Sequence, residues 1–364
     1  MDIRAIRTLA GRLLRQPTAP YHEHAVRSEV ERICGEHGLE SRRDQFGNVL
    51  VRLQTGGQRR AMVLAAHMDH PGFEVMRGIS AKSWLVRFRG GVPDDHFRPG
   101  LRIRLMPGNV PARLGRRVGT ERTFVASAAA GAKVEAAPEF AMWDLEPFAV
   151  RSGRIYSRAC DDVVGVACIL ATLVELKKRR SRVNVIGVIS RAEEVGFHGA
   201  LAVAARRSLP SNALVVSLET SRELPGARIG EGVILRVGDR TSVFDSDGMR
   251  YLGEIAGELK EKRAGFEYQR ALMSGGTCEA TAYQEYGYQT TAVCVALGNY
   301  HNCAPRKKIA EEYVSLSDTL NMVDLLVAAA RRMEEFPKLV GKLPMRLRAM
   351  GREAQEALAA TALG

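Results

Sequence analysis

Five short segments of the chain hold more titratable chemistry than a solvated surface needs. His67, Asp69 and His70 fall within four residues, directly after the apolar run Ala61-Met62-Val63-Leu64-Ala65-Ala66. Asp161-Asp162, Glu193-Glu194, Glu219 and His301 sit likewise where apolar sequence ends or a helix opens. One at a time, each has a plain structural account: a hydrogen-bonded core histidine, acids in a first helical turn, a loop or turn residue. Together they pose an electrostatic problem. Burying four or five carboxylates in one place is prohibitive unless positive charge neutralises them. The only basic residues at these segments are Arg158, Arg191 and Arg222.

A pair of divalent cations solves that problem. Imidazole plus carboxylate suits zinc, and also cobalt or manganese. Two ions need about five protein groups, one of them bridging, and His67, Asp161, Glu194, Glu219 and His301 are the set on offer. Asp69, two residues after His67, is placed to accept the second imidazole N–H. Glu193 is then the spare carboxylate, able to take a proton from a water bridging the metals and pass it to a leaving amine. Gly275 and Gly276 leave room for substrate to approach the backbone, and Tyr300 and His198 are candidate hydrogen-bonding partners.

Those segments must be held by a sheet whose strands end at the site. VLVRL at 49–53, AMVLAA at 61–66, VNVIGVIS at 183–190, ALVVSLE at 213–219 and TTAVCVAL at 290–297 read as strands, several of them apolar on both faces. Helical patterns alternate with them: two within 1–37, then 161–180, 197–207, 249–263, 278–286 and 314–336. The alternation predicts a three-layer α/β sandwich built from 1–73 and 156–336, with ligands gathering at strand ends. Between 74 and 155 helical periodicity fades. Short alternating runs at 84–88, 101–105 and 123–127 sit between Gly and Pro turns, the pattern of a small inserted β-barrel. Residues 337–364 are Ala-rich and basic and read as a last surface helix.

Composition narrows the function further. With 364 residues, 46% of them hydrophobic, the chain can bury a large core. No run of about 18 uncharged apolar residues occurs, so no membrane span is expected. Six cysteines are scattered without a C-x-x-C pair, as in a cytoplasmic protein with reduced thiols. The net charge of +12 is spread out, aromatics are few and no nucleic-acid motif appears, so the charge reads as a solvated face.

The segments HMDHPGF (67–73), CDDVVG (160–165), EEVGFHGA (193–200), SLE (217–219), SGGTCEATA (274–282) and GNYHN (298–302) resemble, in this order, those of the tetrahedral aminopeptidases, a family of dinuclear zinc metallopeptidases that includes glutamyl and deblocking enzymes. The resemblance runs from about residue 1 to 336. It implies a zinc-peptidase sandwich with an inserted β-barrel that builds homo-oligomers, and removal of N-terminal residues from peptides through a metal-bridged hydroxide. It implies metal ligation by His67, Glu194, Asp161, Glu219 and His301, with Asp161 bridging and Glu193 as general base. The chain departs from the pattern at His70, where an acid is usual, at Val163 (Arg), Glu219 (Asp) and Cys278 (an acid), and in the Tyr300-His301-Asn302 setting of the last ligand. These departures keep open a second reading, an amidohydrolase or deacylase on the same fold. A metal-free scaffold or nucleic-acid binder would show missing ligands, and none is missing.

Overall fold

The structure is a computed structural model that describes residues 2–56, 60–119 and 121–362. Two helices open it, α1 (Ile3–Leu14) and α2 (His24–Glu36), followed by strands β1 (Glu40–Arg43), β2 (Val49–Thr55) and β3 (Met62–His67). Six strands then close a barrel: β4 (Gly72–Ser80), β5 (Ser83–Arg89), β6 (Arg102–Met106), β7 (Val110–Arg117), β8 (Thr123–Ala128) and β9 (Phe140–Trp143). Strands β10 (Ala149–Arg151) and β11 (Arg154–Ser157) return to the first sheet. Alternation resumes with α3 (Cys160–Lys178), β12 (Val183–Ser190), α4 (His198–Ala205), β13 (Leu214–Arg222), β14 (Val233–Gly238), α5 (Ser246–Lys262), β15 (Tyr268–Leu272), α6 (Glu279–Glu285) and β16 (Gln289–Gly298). The short pair β17 (Cys303–Ala304) and β18 (Lys308–Ile309), strand β19 (Glu312–Ser315) and helices α7 (Leu316–Arg331) and α8 (Phe336–Thr361) complete the chain.

Among the described residues the large sheet has eleven strands, and its centre is the parallel run β12-β3-β13-β16. Every residue of β3 is buried, as expected for a strand covered on both faces. Helices α1, α2, α3, α5 and α7 share the main apolar core on one face, and α4 and α6 pack on the other. The result is a three-layer α/β sandwich. Helix α3 runs through its interior, buried from Cys160 to Leu173 without a break, so it lacks the polar stripe of a surface helix.

The barrel has a core of its own. On β5, exposure alternates with burial so that Trp84, Val86 and Phe88 point inward. Phe73 meets Phe88 and Trp143 edge-on, each at 5.0 Å between ring centroids, the geometry that aromatic quadrupoles favour.

The segment expected to run as one helix over 314–336 is divided. Helix α7 begins after its N-cap Ser315, whose Oγ accepts from the Asp318 amide at 3.2 Å, and ends at Arg331. A 3-10 turn follows, and α8 starts at Phe336 with Pro337 in its first turn, where a missing N–H costs nothing. Strands β14, β15 and β19 were not expected from the sequence. Their runs are short, and on β14 the arginine at 236 breaks the apolar pattern.

Candidate metal centre

The carboxyl ends of the central strands converge. His67 is the last residue of β3 and is paired in register with Ser190, the last of β12. Glu193 and Glu194 lie in the loop just beyond β12, Glu219 lies within β13, and His301 follows β16. Asp161 reaches the same point from the start of α3, where its peptide bond to Asp162 is cis. All five expected ligands and Glu193 line one cavity of about 420 Å³.

Asp161 lies between the two imidazoles. Its Oδ1 is 3.6 Å from His67 Nε2 and its Oδ2 is 3.5 Å from His301 Nε2. His301 Nε2 is also 3.2 Å from Glu194 Oε1, and His67 Nε2 is 3.8 Å from Glu193 Oε2. Two adjacent clusters result, His67-Glu193-Glu219 and Asp161-Glu194-His301, each with ligand atoms within 4.8 Å of one another. The donor set fits a pair of cations on an observation independent of motif. Asp161 Oδ1, Glu194 Oε1 and Glu219 Oε1 are buried and accept no hydrogen bond. Orphaned buried carboxylate oxygens are too costly to keep unless something positive meets them.

The same cost appears in the protonation equilibria of the metal-free site. Burial pushes Glu219 up to about 8 and Glu193 well above the ordinary carboxylate range. Burial acts on Asp161 in the same sense, but its contacts with His301 and His67 outweigh it and hold its carboxyl well below that range.

The surrounding groups fix the orientation of these side chains. His67 Nδ1 lies 3.1 Å from the Asp69 backbone carbonyl, and His301 Nδ1 lies 2.9 Å from the Gly91 carbonyl. Donating Nδ1–H to a carbonyl leaves Nε2 free to ligate. Asp69 faces His67 Nδ1 with its carboxylate as well, Oδ1 lying 3.5 Å away, and that carboxylate also accepts the backbone amides of Glu193 at 2.9 Å and Glu194 at 3.1 Å. Two amides pointing at one carboxylate fix the turn that presents both glutamates. Glu312, which no motif flagged, ties two other parts of the site. Its Oε1 accepts from the His301 amide at 2.7 Å and its Oε2 from the Asp161 amide at 3.1 Å. His301 sits at φ 53°, between Asn299 at 54° and Asn302 at 62°, a run of left-handed residues that needs such an anchor. His70 completes the support with Nδ1 at 2.7 Å from the Asp161 carbonyl and Nε2 at 3.0 Å from Asn302 Oδ1.

The remaining expected residues are distributed around the cavity. Gly275, Gly276 and Tyr300 line it, and a Cβ built at Gly275 would meet nothing within 4 Å. Tyr300 stacks on His301 at 3.8 Å between centroids. His198 is engaged elsewhere, with Nδ1 at 2.9 Å from the Tyr21 hydroxyl. Three cavity residues escaped the sequence reading as a group: Arg222, Arg236 and Arg240. Arg236 carried a usable signal, since an arginine inside the apolar strand VILRVG is seldom buried without a task. It is 3% exposed, donates to Ser221 Oγ at 3.0 Å and leaves its Nε without a partner.

An α/β sandwich with paired imidazole–carboxylate clusters at its strand ends defines a metal-dependent hydrolase. A model of the M42 glutamyl aminopeptidase family matches residues 125–325, more than half of the chain, and the chain belongs to that family. It is accordingly a metal-dependent aminopeptidase. Solved structures agree on the fold. A TET aminopeptidase from a marine-sediment thaumarchaeon superposes with a TM-score of 0.76 at 19% identity, covering 92% of this chain and 99% of that one. An aminopeptidase from the archaeon Desulfurococcus kamchatkensis gives 0.72 at 22% identity, over 93% and 98% of the two chains. The Pyrococcus horikoshii TET1 peptidase, described as assembling into a tetrahedron or a large octahedral shell, gives 0.70 at 22%, over 86% and 96%.

Proposed function

We propose that the enzyme removes N-terminal residues from peptides at a dinuclear metal centre, with acidic first residues preferred. His67, Glu219, Glu194 and His301 would hold the two ions, with zinc the ion proposed, and Asp161 would be shared between them. The bound ions would supply Lewis acidity toward the scissile carbonyl and acidify water. Glu193 faces the same space, and burial has already raised its proton affinity. It is therefore suited to accept a proton and return it to the leaving amine. Asp69 orients Glu193 and Glu194 through their amides and acts as a positioning residue.

The observation that carries the reading is the set of three orphaned carboxylate oxygens inside a cavity that also holds two correctly oriented imidazoles. The acidic preference rests on the arginines. Among the described residues none of Arg222, Arg236 and Arg240 has a carboxylate within 4.0 Å, yet all three line the cavity. Arg236 feels Glu219 and Asp239 at longer range, and position 278 beside it is a cysteine, which supplies no carboxylate. A substrate carboxylate would compensate the arginines, and a guanidinium pairs with carboxylate in a planar fork. The inserted barrel would serve homo-oligomer assembly.

A substrate panel tests both parts. Glutamyl and aspartyl anilides should outpace leucyl and lysyl anilides, and N-acetyl-glutamate should be inert. Cleavage of the acetylated compound without cleavage of the free amines would replace this reading with a deacylase.

A further inference from the structure

Helix α8 is longer than its anchorage needs. Phe336 and Leu339 are buried, the Phe336 ring lies 5.0 Å from that of Tyr251, and Lys342 Nζ reaches Glu254 at 2.6 Å. From Leu343 onward no described residue of the helix is buried. Leu343, Leu347 and Met350 are 37, 53 and 54% exposed, and Met345 and Leu358 are 60 and 68% exposed. Apolar side chains displayed at that density mark a contact surface.

Spacing says what kind. Leu343, Leu347, Met350, Ala354, Ala357 and Thr361 alternate at intervals of four and three, continuing from Val340, which packs on the main core. That is the narrow seam of a helix pair, tighter than the broad stripe of a helix lying on a globular core. Pro344 lies beside the seam at the point where the helix leaves the body, and it costs only the bond to the Val340 carbonyl.

We propose that this seam binds the same helix of a second copy, antiparallel, across a two-fold axis between Arg348 and Ala349. Size and charge both select this orientation. Antiparallel, Leu347 packs against the partner's Met350 and Leu343 against the partner's Ala354, so large meets small in the outer layers. Parallel, leucine would stack on leucine at one end and alanine on alanine at the other, which leaves gaps. Arg346 and Glu353 each precede a seam residue by one position. Antiparallel pairing sets Arg346 against the partner's Glu353, and the two-fold axis makes the pair twice. A parallel pair would face Arg346 with the partner's Gly351. An anionic membrane is the other surface that a basic amphipathic helix invites. Here the far half of the seam carries only small side chains, Ala354, Ala357 and Thr361, and no aromatic residue follows Phe336 to anchor the helix in a headgroup layer.

Disulfide trapping in the full-length protein tests the proposal. The single variants Leu343→Cys and Ala354→Cys and the double variant are oxidised with diamide, with wild type as background, since five of its cysteines are buried and Cys303 is half-buried. Only the double variant should give a dimer band on a non-reducing gel, because the two sites on one helix lie about 16 Å apart. Adding Arg346→Glu should cut that band several-fold, and adding Glu353→Arg as well should restore it. Efficient linkage of Leu343→Cys alone would make the pair parallel and overturn the proposal. No band in any variant, with glutamyl-anilide turnover showing each protein folded, overturns it too. So does sedimentation of the wild type with phosphatidylserine vesicles in the absence of trapping.

Discussion

In the proposed mechanism Glu193 does chemistry and Asp69 positions it. Glu193→Gln keeps the size of the side chain and its place against His67 but removes the base. It should lower kcat by about 10²–10⁴-fold with metal content unchanged by elemental analysis. A second residue-level expectation concerns Gly165. A Cβ built there would lie 2.0 Å from Asp162 Oδ2. Gly165→Ala should therefore displace Asp162 and, through the adjoining peptide, Asp161, so that the purified variant retains fewer than two ions per chain. The titratable members of this site were legible because each stands at the end of an apolar run, where surface charge has no reason to recur. The supports were not legible. Glu312 is one acid in a four-residue strand, and its value lies in two backbone amides that are 151 and 11 residues away in sequence.

Among the elements, the parallel strands and α3 were predictable because burial on both faces leaves a continuous apolar run. The division between α7 and α8 was not, because Met333 and Phe336 keep the apolar pattern through the 3-10 turn that separates the two helices. Strand β19 shows what an element contributes beyond its own pairing. It brings Glu312 between the start of α3 and the loop after β16. Glu312→Ala should free both amides and weaken metal affinity by about 10–100-fold, the usual effect of losing an outer partner, as read by competition with a fluorescent chelator. The cap of α7 is a simpler case. Ser315→Ala should cost about 1 kcal/mol in a urea titration and leave kcat unchanged.

For the molecule as a whole, the buried acids couple metal, pH and stability. In the metal-free protein burial raises Glu219 to about 8, Glu279 to about 7 and Glu312 to about 7, against an ordinary value of 4.5. A carboxyl raised on folding binds its proton more tightly in the native state, so its stabilising contribution is complete below pH 4.5 and is lost as pH rises through the raised value. The metal-stripped enzyme should accordingly show a falling Tm between about pH 5 and 8, the interval between the ordinary and the raised values. Saturating zinc should remove that slope and raise Tm by several degrees at pH 8, since binding to the native state alone adds about 4 kcal/mol per site at a thousandfold excess over Kd. Differential scanning calorimetry with and without chelator reads both effects.

The contact between Gly91 and His301 reaches beyond ligand geometry. Gly91 belongs to the stretch linking β5 to β6, inside the inserted barrel, yet its carbonyl sets which nitrogen of a sandwich imidazole faces the cavity. Trimming the insert down to a short linker, however well the remainder folded, would leave that ring free to turn. An enzyme pared to its sandwich would then be impaired at its own chemistry.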